Sequence, residues 1–180
     1  MKRKLLLYLC LATLTQCSKC KQADPTPQPP TTQLDLLPPE TQTGQRTFGC
    51  LVNGQAWTPA GSPLGGPLFS SGYSNQTLYL TANRAVIVDG ANITQRIQIQ
   101  IDNISLKGAY LLDNATSRSA EFSERERQCF FITGAAHPAT VEITRLDLVN
   151  RIVSGRFAFT LETPGCGKVI VTDGRFDSRF

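Results

Sequence analysis

The sequence predicts an all-β fold, an antiparallel β-sandwich of roughly nine or ten strands, on three observations. Apolar and polar residues alternate with a period of two. Ile97, Ile99 and Ile101 face one way against Arg96, Gln98, Gln100 and Asp102, and Val153, Gly155, Phe157, Phe159 and Leu161 face one way against Ser154, Arg156, Ala158 and Thr160. The runs rich in Val, Ile, Thr and Phe are separated by turn dipeptides: Asn53-Gly54, Asp89-Gly90, Asn150-Arg151 and Pro164-Gly165. Nowhere does a long stretch carry the 3.6-residue period of an amphipathic helix. A closed, lipocalin-like barrel around an internal cavity is the alternative arrangement of the same strands.

The chain opens with Lys2, Arg3 and Lys4 and then the apolar run Leu5-Leu6-Leu7-Tyr8-Leu9-Cys10-Leu11-Ala12. That run is shorter than the ~20 apolar residues a spanning helix needs, so residues 1–16 are expected to be a secretory signal peptide. Residues 17–45 are polar and carry Pro25, Pro27, Pro29, Pro30, Pro38 and Pro39. Proline blocks helix and few side chains are available to bury, so this segment is expected to be a disordered tether. Leu34, Leu36 and Leu37 are its apolar exception, for which a passive linker is favoured over docking on the domain or a partner. The formal net charge is +4, and removing the three basic residues of the leader leaves +1. A nearly neutral body has no electrostatic footprint for nucleic acid.

Residues 46–180 are expected to form the folded domain. A first strand, Thr47-Phe48-Gly49-Cys50-Leu51-Val52, turns at Asn53-Gly54 into Gln55-Ala56-Trp57. Residues 59–72, dense in Gly, Pro and Ser, read as a long loop. Strands follow around Leu78-Tyr79-Leu80-Thr81, Ala85-Val86-Ile87-Val88, residues 94–102, Gly108-Ala109-Tyr110-Leu111-Leu112, residues 119–123 and Cys129-Phe130-Phe131-Ile132. A three-strand meander over residues 140–180 closes the fold. In its last strand Val169 and Val171 share a face but Phe176 has the other parity, which predicts a bulge at Asp173-Gly174.

Several of these features together resemble the small uncharacterised envelope lipoproteins of Bacteroidetes-type bacteria. They are Leu14-Thr15-Gln16-Cys17 after the short leader, the opening Phe48-Gly49-Cys50-Leu51-Val52-Asn53-Gly54-Gln55-Ala56-Trp57, and the closing Thr172-Asp173-Gly174-Arg175-Phe176. Leu14 and Cys17 match the pattern of a lipobox, in which the signal is cut before a cysteine that then receives lipid; Gln16 departs from the small residue usual before that cysteine. The resemblance implies an outer-membrane lipoprotein with an all-β domain, its membrane contact made through lipid on Cys17, and it lends no catalytic residues. Members exported to the cell surface often carry acidic residues after the cysteine. Ser18-Lys19-Cys20-Lys21 does not, which favours the periplasmic side over the surface.

Chemistry is sparse. His137, the only histidine, sits in the turn Ala136-His137-Pro138, with no zinc or Ser-His-Asp pattern around it. Cys17 and Cys20 form a C-x-x-C pair without the second pair or strand–helix context that metal or redox use requires. Glu121, Glu124 and Glu126 are interleaved with Arg125 and Arg127, as on a solvated strip. No catalytic residue, metal or cofactor is therefore assigned. Trp57, Tyr73, Tyr79 and Tyr110 are candidate ligand-contact aromatics, though a large aromatic on a strand more often fills a core. Export places Cys50, Cys129 and Cys166 where disulfides persist. The flexible Pro164-Gly165-Cys166-Gly167 loop favours Cys129–Cys166, with Cys50–Cys166 as alternative and three buried free thiols as the bland outcome. The function expected is a non-enzymatic binding or structural module of the envelope, with a glycan or an envelope protein as partner. A glycan-acting hydrolase and a carrier of a small apolar ligand are the alternatives.

Overall fold

The alternating runs pair into two six-stranded sheets, seen in a computed structural model that describes residues 32–63, 66–115 and 117–180. The first sheet contains β1 (Thr47–Val52), β2 (Gln55–Trp57), β7 (Gly108–Leu112), β10 (Ala139–Asp147), β11 (Ile152–Thr163) and β12 (Gly167–Arg179), in the order β2-β1-β12-β11-β10-β7. The second contains β3 (Ala60–Gly61), β4 (Phe69–Ser74), β5 (Thr77–Val88), β6 (Ala91–Ile101), β8 (Ser119–Glu124) and β9 (Cys129–Ile132), in the order β3-β5-β6-β8-β9, with β4 also on β5. All pairings are antiparallel except the short β3–β5 contact. The sheets do not close into a barrel, so the sandwich expectation holds and the lipocalin-like alternative does not.

The core forms where the alternation said it would. Ile97, Ile99 and Ile101 of β6 and Leu78, Leu80 and Ala82 of β5 meet Val153, Phe157 and Leu161 of β11 and Val169 and Val171 of β12. These side chains fill the interior themselves, as the inner faces of a packed sandwich do. The hairpins use the turn chemistry of their sequence. Asn53 and Gly54 have φ of 49° and 79°, and Asp89 and Gly90 have 50° and 80°, as a two-residue turn with both central residues left-handed requires. The predicted bulge is present. Gly49 pairs with Arg175 and Leu51 with Thr172, so Asp173 and Gly174 together oppose one residue of β1. A Cβ on Gly174 would lie 2.4 Å from the Phe157 carbonyl oxygen, so the bulge needs glycine there.

Two expectations need correction. Residues 59–72 are not one loop, because β3 and β4 lie in or across them. β4 offers little apolar alternation (Ser70, Ser71, Gly72, Ser74), and backbone pairing of Phe69–Ser74 with Thr77–Ala82 supplies what its side chains do not advertise. This raises the strand number to twelve among the described residues. The tether expectation also fails from residue 32 onward; residues 17–31, and the signal peptide before them, lie outside the described residues.

Residues 33–45 cross the outer face of the first sheet, strand by strand. After a single 3-10 turn at Leu34–Leu36, Leu37 is buried. The Gln33 side chain accepts from the Ala56 N–H on β2 at 2.9 Å. Pro38 covers Gly49 on β1 so closely that a Cβ there would lie 2.6 Å from its ring. The Pro38 carbonyl accepts from Arg175 on β12, Glu40 pairs with Arg156 on β11 at 2.6 Å, and the Gln42 carbonyl accepts from Arg145 on β10. The segment is then fixed by Asp177, fully buried on β12. Its carboxylate accepts from the backbone N–H groups of Thr43 (3.0 Å), Gly44 (2.8 Å) and Gln45 (3.0 Å) and from the hydroxyls of Thr41 (2.7 Å) and Ser154 (2.7 Å). Burial alone raises a carboxyl pKa, but these five donors outweigh it and hold Asp177 near 2. Composition hid this: prolines that favour disorder in isolation also make an extended strap that costs little entropy to dock.

The two sheets are also joined covalently. Cys129 on β9 is bonded to Cys166 in the β11–β12 turn, with their Cα atoms 5.7 Å apart, while Cys50 is a buried free thiol.

Two predictions follow from these clamps. Asp177→Asn keeps the shape but loses the charge and turns an amide against backbone donors. It should cost about 3 kcal/mol and lower the Tm by ~10 °C at neutral pH. A carboxyl with a lowered folded-state pKa stabilises fully above its unfolded value of 3.8 and loses that contribution as the pH falls through about 2. The Tm gap between the two proteins should therefore be constant above pH 5 and shrink between pH 4 and 2; a gap independent of pH would show that the charge is not what matters. Opening the loop of sequence separation 37 by reduction, or in the Cys129→Ala, Cys166→Ala chain, should lower the unfolding free energy by about 4 kcal/mol in urea titrations.

Candidate functional site

The outer face of the second sheet carries a cleft of about 850 Å³. Its floor is the halves of β5 and β6 next to their connecting turn, with the end of β8, and its rim includes Ser62, Pro63, Gly66 and Pro67 ahead of β4. Strand register decides which side chains line up there, because directly opposed residues of antiparallel strands point to the same face. Phe130 opposes Ser123, Ser123 opposes Arg96, and Arg96 opposes Asn83. These four form a row across β9, β8, β6 and β5, about 14 Å long at the usual strand spacing. A parallel row runs Ile132, Glu121, Gln98, Thr81 and Ser70.

The groups in the first row are held. Arg96 Nε donates to Asn83 Oδ1 at 3.0 Å, and Asn83 Nδ2 donates to the Pro67 carbonyl at 3.0 Å. Arg84 donates to the Thr58 carbonyl at 3.0 Å, and Arg125 stands at the β8–β9 turn. Phe130 is 51% exposed, an apolar ring on the same outer face opposite Ser123. The arrangement offers hydroxyl, amide and guanidinium groups beside one exposed ring, the mixture that holds a polar ligand by hydrogen bonds and a stacking face.

The three glutamates weighed from the sequence do different things. Glu126 lines the cleft and accepts from the Thr94 N–H at 2.8 Å, and this bonding at Thr94 holds its carboxyl below the ordinary range. Glu124 pairs with Arg127 at 3.0 Å and accepts from Gln95 at 3.3 Å. Burial pushes the Glu121 carboxyl up, partly offset by nearby Arg96. Among the described residues no group of three or more His, Cys, Asp and Glu is placed to hold a metal ion. His137 is half-buried and serves its turn through backbone bonds with Gly134 in both directions.

The aromatic candidates do not come together. Trp57 is buried against Phe48 and donates its indole N–H to Gln95 at 2.8 Å, so it fills the core. Tyr73 packs on Phe180 and donates to the Ile104 carbonyl. Tyr110 lies on β7 in the other sheet, donates to the Leu106 carbonyl and has Arg118 over its ring at 5.4 Å. Only Tyr79 is exposed on the outer face of the second sheet, opposite Gln100. The missed ring is Phe130. The alternation of Cys129-Phe130-Phe131-Ile132 was its signal, since a buried Phe131 turns Phe130 outward. Of the cysteines, Cys129 and Cys166 are the disulfide, and burial raises the Cys50 thiol pKa so that it stays protonated and inert. Cys17 lies outside the described residues.

No curated protein and no solved structure matches the chain. Residues 66–178 match a family described as a domain of unknown function, DUF6252. The match begins just before β4 and takes in the strands of the cleft floor, the disulfide and Asp177. By that match the chain belongs to the DUF6252 family.

Proposed function

We propose that this protein is a lipid-anchored component of the bacterial outer membrane, held through Cys17 and facing the periplasm, whose sandwich is a non-enzymatic module that binds a saccharide on the outer face of its second sheet. The observation that carries the binding half is the row in which Ser123, Arg96 and Asn83 line the cleft and Phe130 continues the same face on the next strand. A ring for a sugar's apolar face and a line of hydroxyl, amide and guanidinium groups for its hydroxyls are set on rigid strands rather than on loops. The interior is filled by side chains, which weighs against a carrier of apolar ligands. Glycoside hydrolysis works through a pair of carboxylates flanking the bond, and Glu126 is the one carboxylate among the described lining residues, already engaged by Thr94. The anchoring half rests on the basic leader, its apolar run, and Leu14 three residues before Cys17.

The two halves are tested separately. Cys17→Ala should move the protein from the membrane fraction to the soluble fraction, and intact-mass spectrometry should find acyl chains on the mature wild-type terminus. An unmodified Cys17 there would remove the anchor from the account. On an array of bacterial envelope glycans, Ser123→Trp, which fills the cleft, should lose at least ~10-fold in retention with little change in Tm. Unchanged retention would place the binding surface elsewhere, and no retention by the wild type would sink the saccharide reading.

A further inference from the structure

We propose that the saccharide is acidic and that Arg96 receives its anionic group, a carboxylate or a phosphate ester; this rests on the cleft being the binding face. The charge of the molecule points there. From residue 32 onward, basic and acidic residues are equal in number, yet the described lining of the cleft holds Arg84, Arg96 and Arg125 against Glu126 alone. Three of the arginines elsewhere are matched by carboxylates, Arg127 with Glu124, Arg145 with Asp147 and Arg156 with Glu40 and Glu142, while Arg118 and Arg175 donate to the carbonyls of Asp102 and Pro38. None of the three cleft arginines makes an ion pair among the described residues.

Arg96 is also built to present its fork. Its Nε is occupied by Asn83 Oδ1, and Asn83 is itself fixed by the Pro67 carbonyl, so the amide cannot turn over without losing a bond. This leaves the two terminal nitrogens of the guanidinium without a partner among the described residues, in the planar arrangement that binds a carboxylate or phosphate through two parallel bonds. Asn83 is the positioning residue. The acidic groups nearby set the limit on affinity: Glu126 sits in the same lining, and Glu121 acts on Arg96 from β8. Binding in so open a cleft should weaken as ionic strength rises.

The test is a titration of the full mature chain with glucuronate, inorganic phosphate and glucose, followed through the side-chain Nε–H signal of Arg96 and the backbone amides of β5 and β6. The expected result is a saturable shift of the Arg96 signal with glucuronate or phosphate and none with glucose. Which of the two acts identifies the anion as a uronate or an ester. Arg96→Gln should weaken that binding at least ~10-fold, and Arg96→Lys should recover only part of it. Asn83→Ala should weaken binding while the Arg96 signal remains and its pattern of shift changes, which a purely structural role would not produce. Glucose moving the cleft amides as strongly as the anions, with Arg96 unmoved, would overturn the acidic ligand and leave the saccharide reading standing. No response of the cleft to any of the three would overturn both.

Discussion

The structure depends on one buried charge. Asp177, near the end of the last strand, gathers three consecutive backbone N–H groups and the Thr41 hydroxyl from a segment more than 130 residues earlier. A carboxylate out of water is costly unless every lone pair is matched, and here Ser154 completes the set from the neighbouring strand. The bond network joins a proline-rich segment to the middle of the first sheet and makes it a further layer on the sandwich. It also brings Gln33 beside β2, where its side chain accepts from the Ala56 N–H.

That strap and the cleft occupy opposite outer faces, and the division follows from the pattern of charge. On the first sheet Arg145, Arg156 and Arg175 are all engaged by residues 38–42 or by neighbouring carboxylates. Among the described residues no segment crosses β5 and β6 of the second sheet strand by strand in this way, and Arg96 and Arg125 of the cleft lining make no ion pair. The disulfide secures the edge of the same sheet. It holds β9, whose Phe130 stands opposite Ser123, to the β11–β12 turn of the other sheet, and Thr163 adds a bond to the Phe130 carbonyl. The second sheet thus presents a supported, polar, arginine-bearing surface, while the first is closed by the protein's own chain.

How far the sequence could be read tracks how local the physics is. The period of two in residues 94–102 and 152–161, the left-handed Asn53-Gly54 and Asp89-Gly90 turns and the Asp173-Gly174 bulge are properties of neighbouring residues, and all were legible. The Cys129–Cys166 pairing needed only loop flexibility and strand proximity. β4 was not legible, because a serine- and glycine-rich edge strand is specified by its partner β5. The strap was not legible either. Its composition describes the isolated segment correctly, and its order comes from Asp177, whose role no neighbouring residue reveals. The cleft needed the cross-strand register before Phe130, Ser123, Arg96 and Asn83 could be seen as one row. Trp57 and Tyr73 are attractive by residue type, but Trp57 is a core residue and Tyr73 packs half-buried against the core.

The central claim is that residues 41–45 belong to the folded unit because Asp177 holds them. Native-state hydrogen exchange measures this directly. The amide hydrogens of Thr43, Gly44 and Gln45 point at the carboxylate, so they should exchange only through the opening that also releases the β12 amides, with matching protection. Exchange of those three amides at the rate of an exposed loop, while β12 stays protected, would contradict the account.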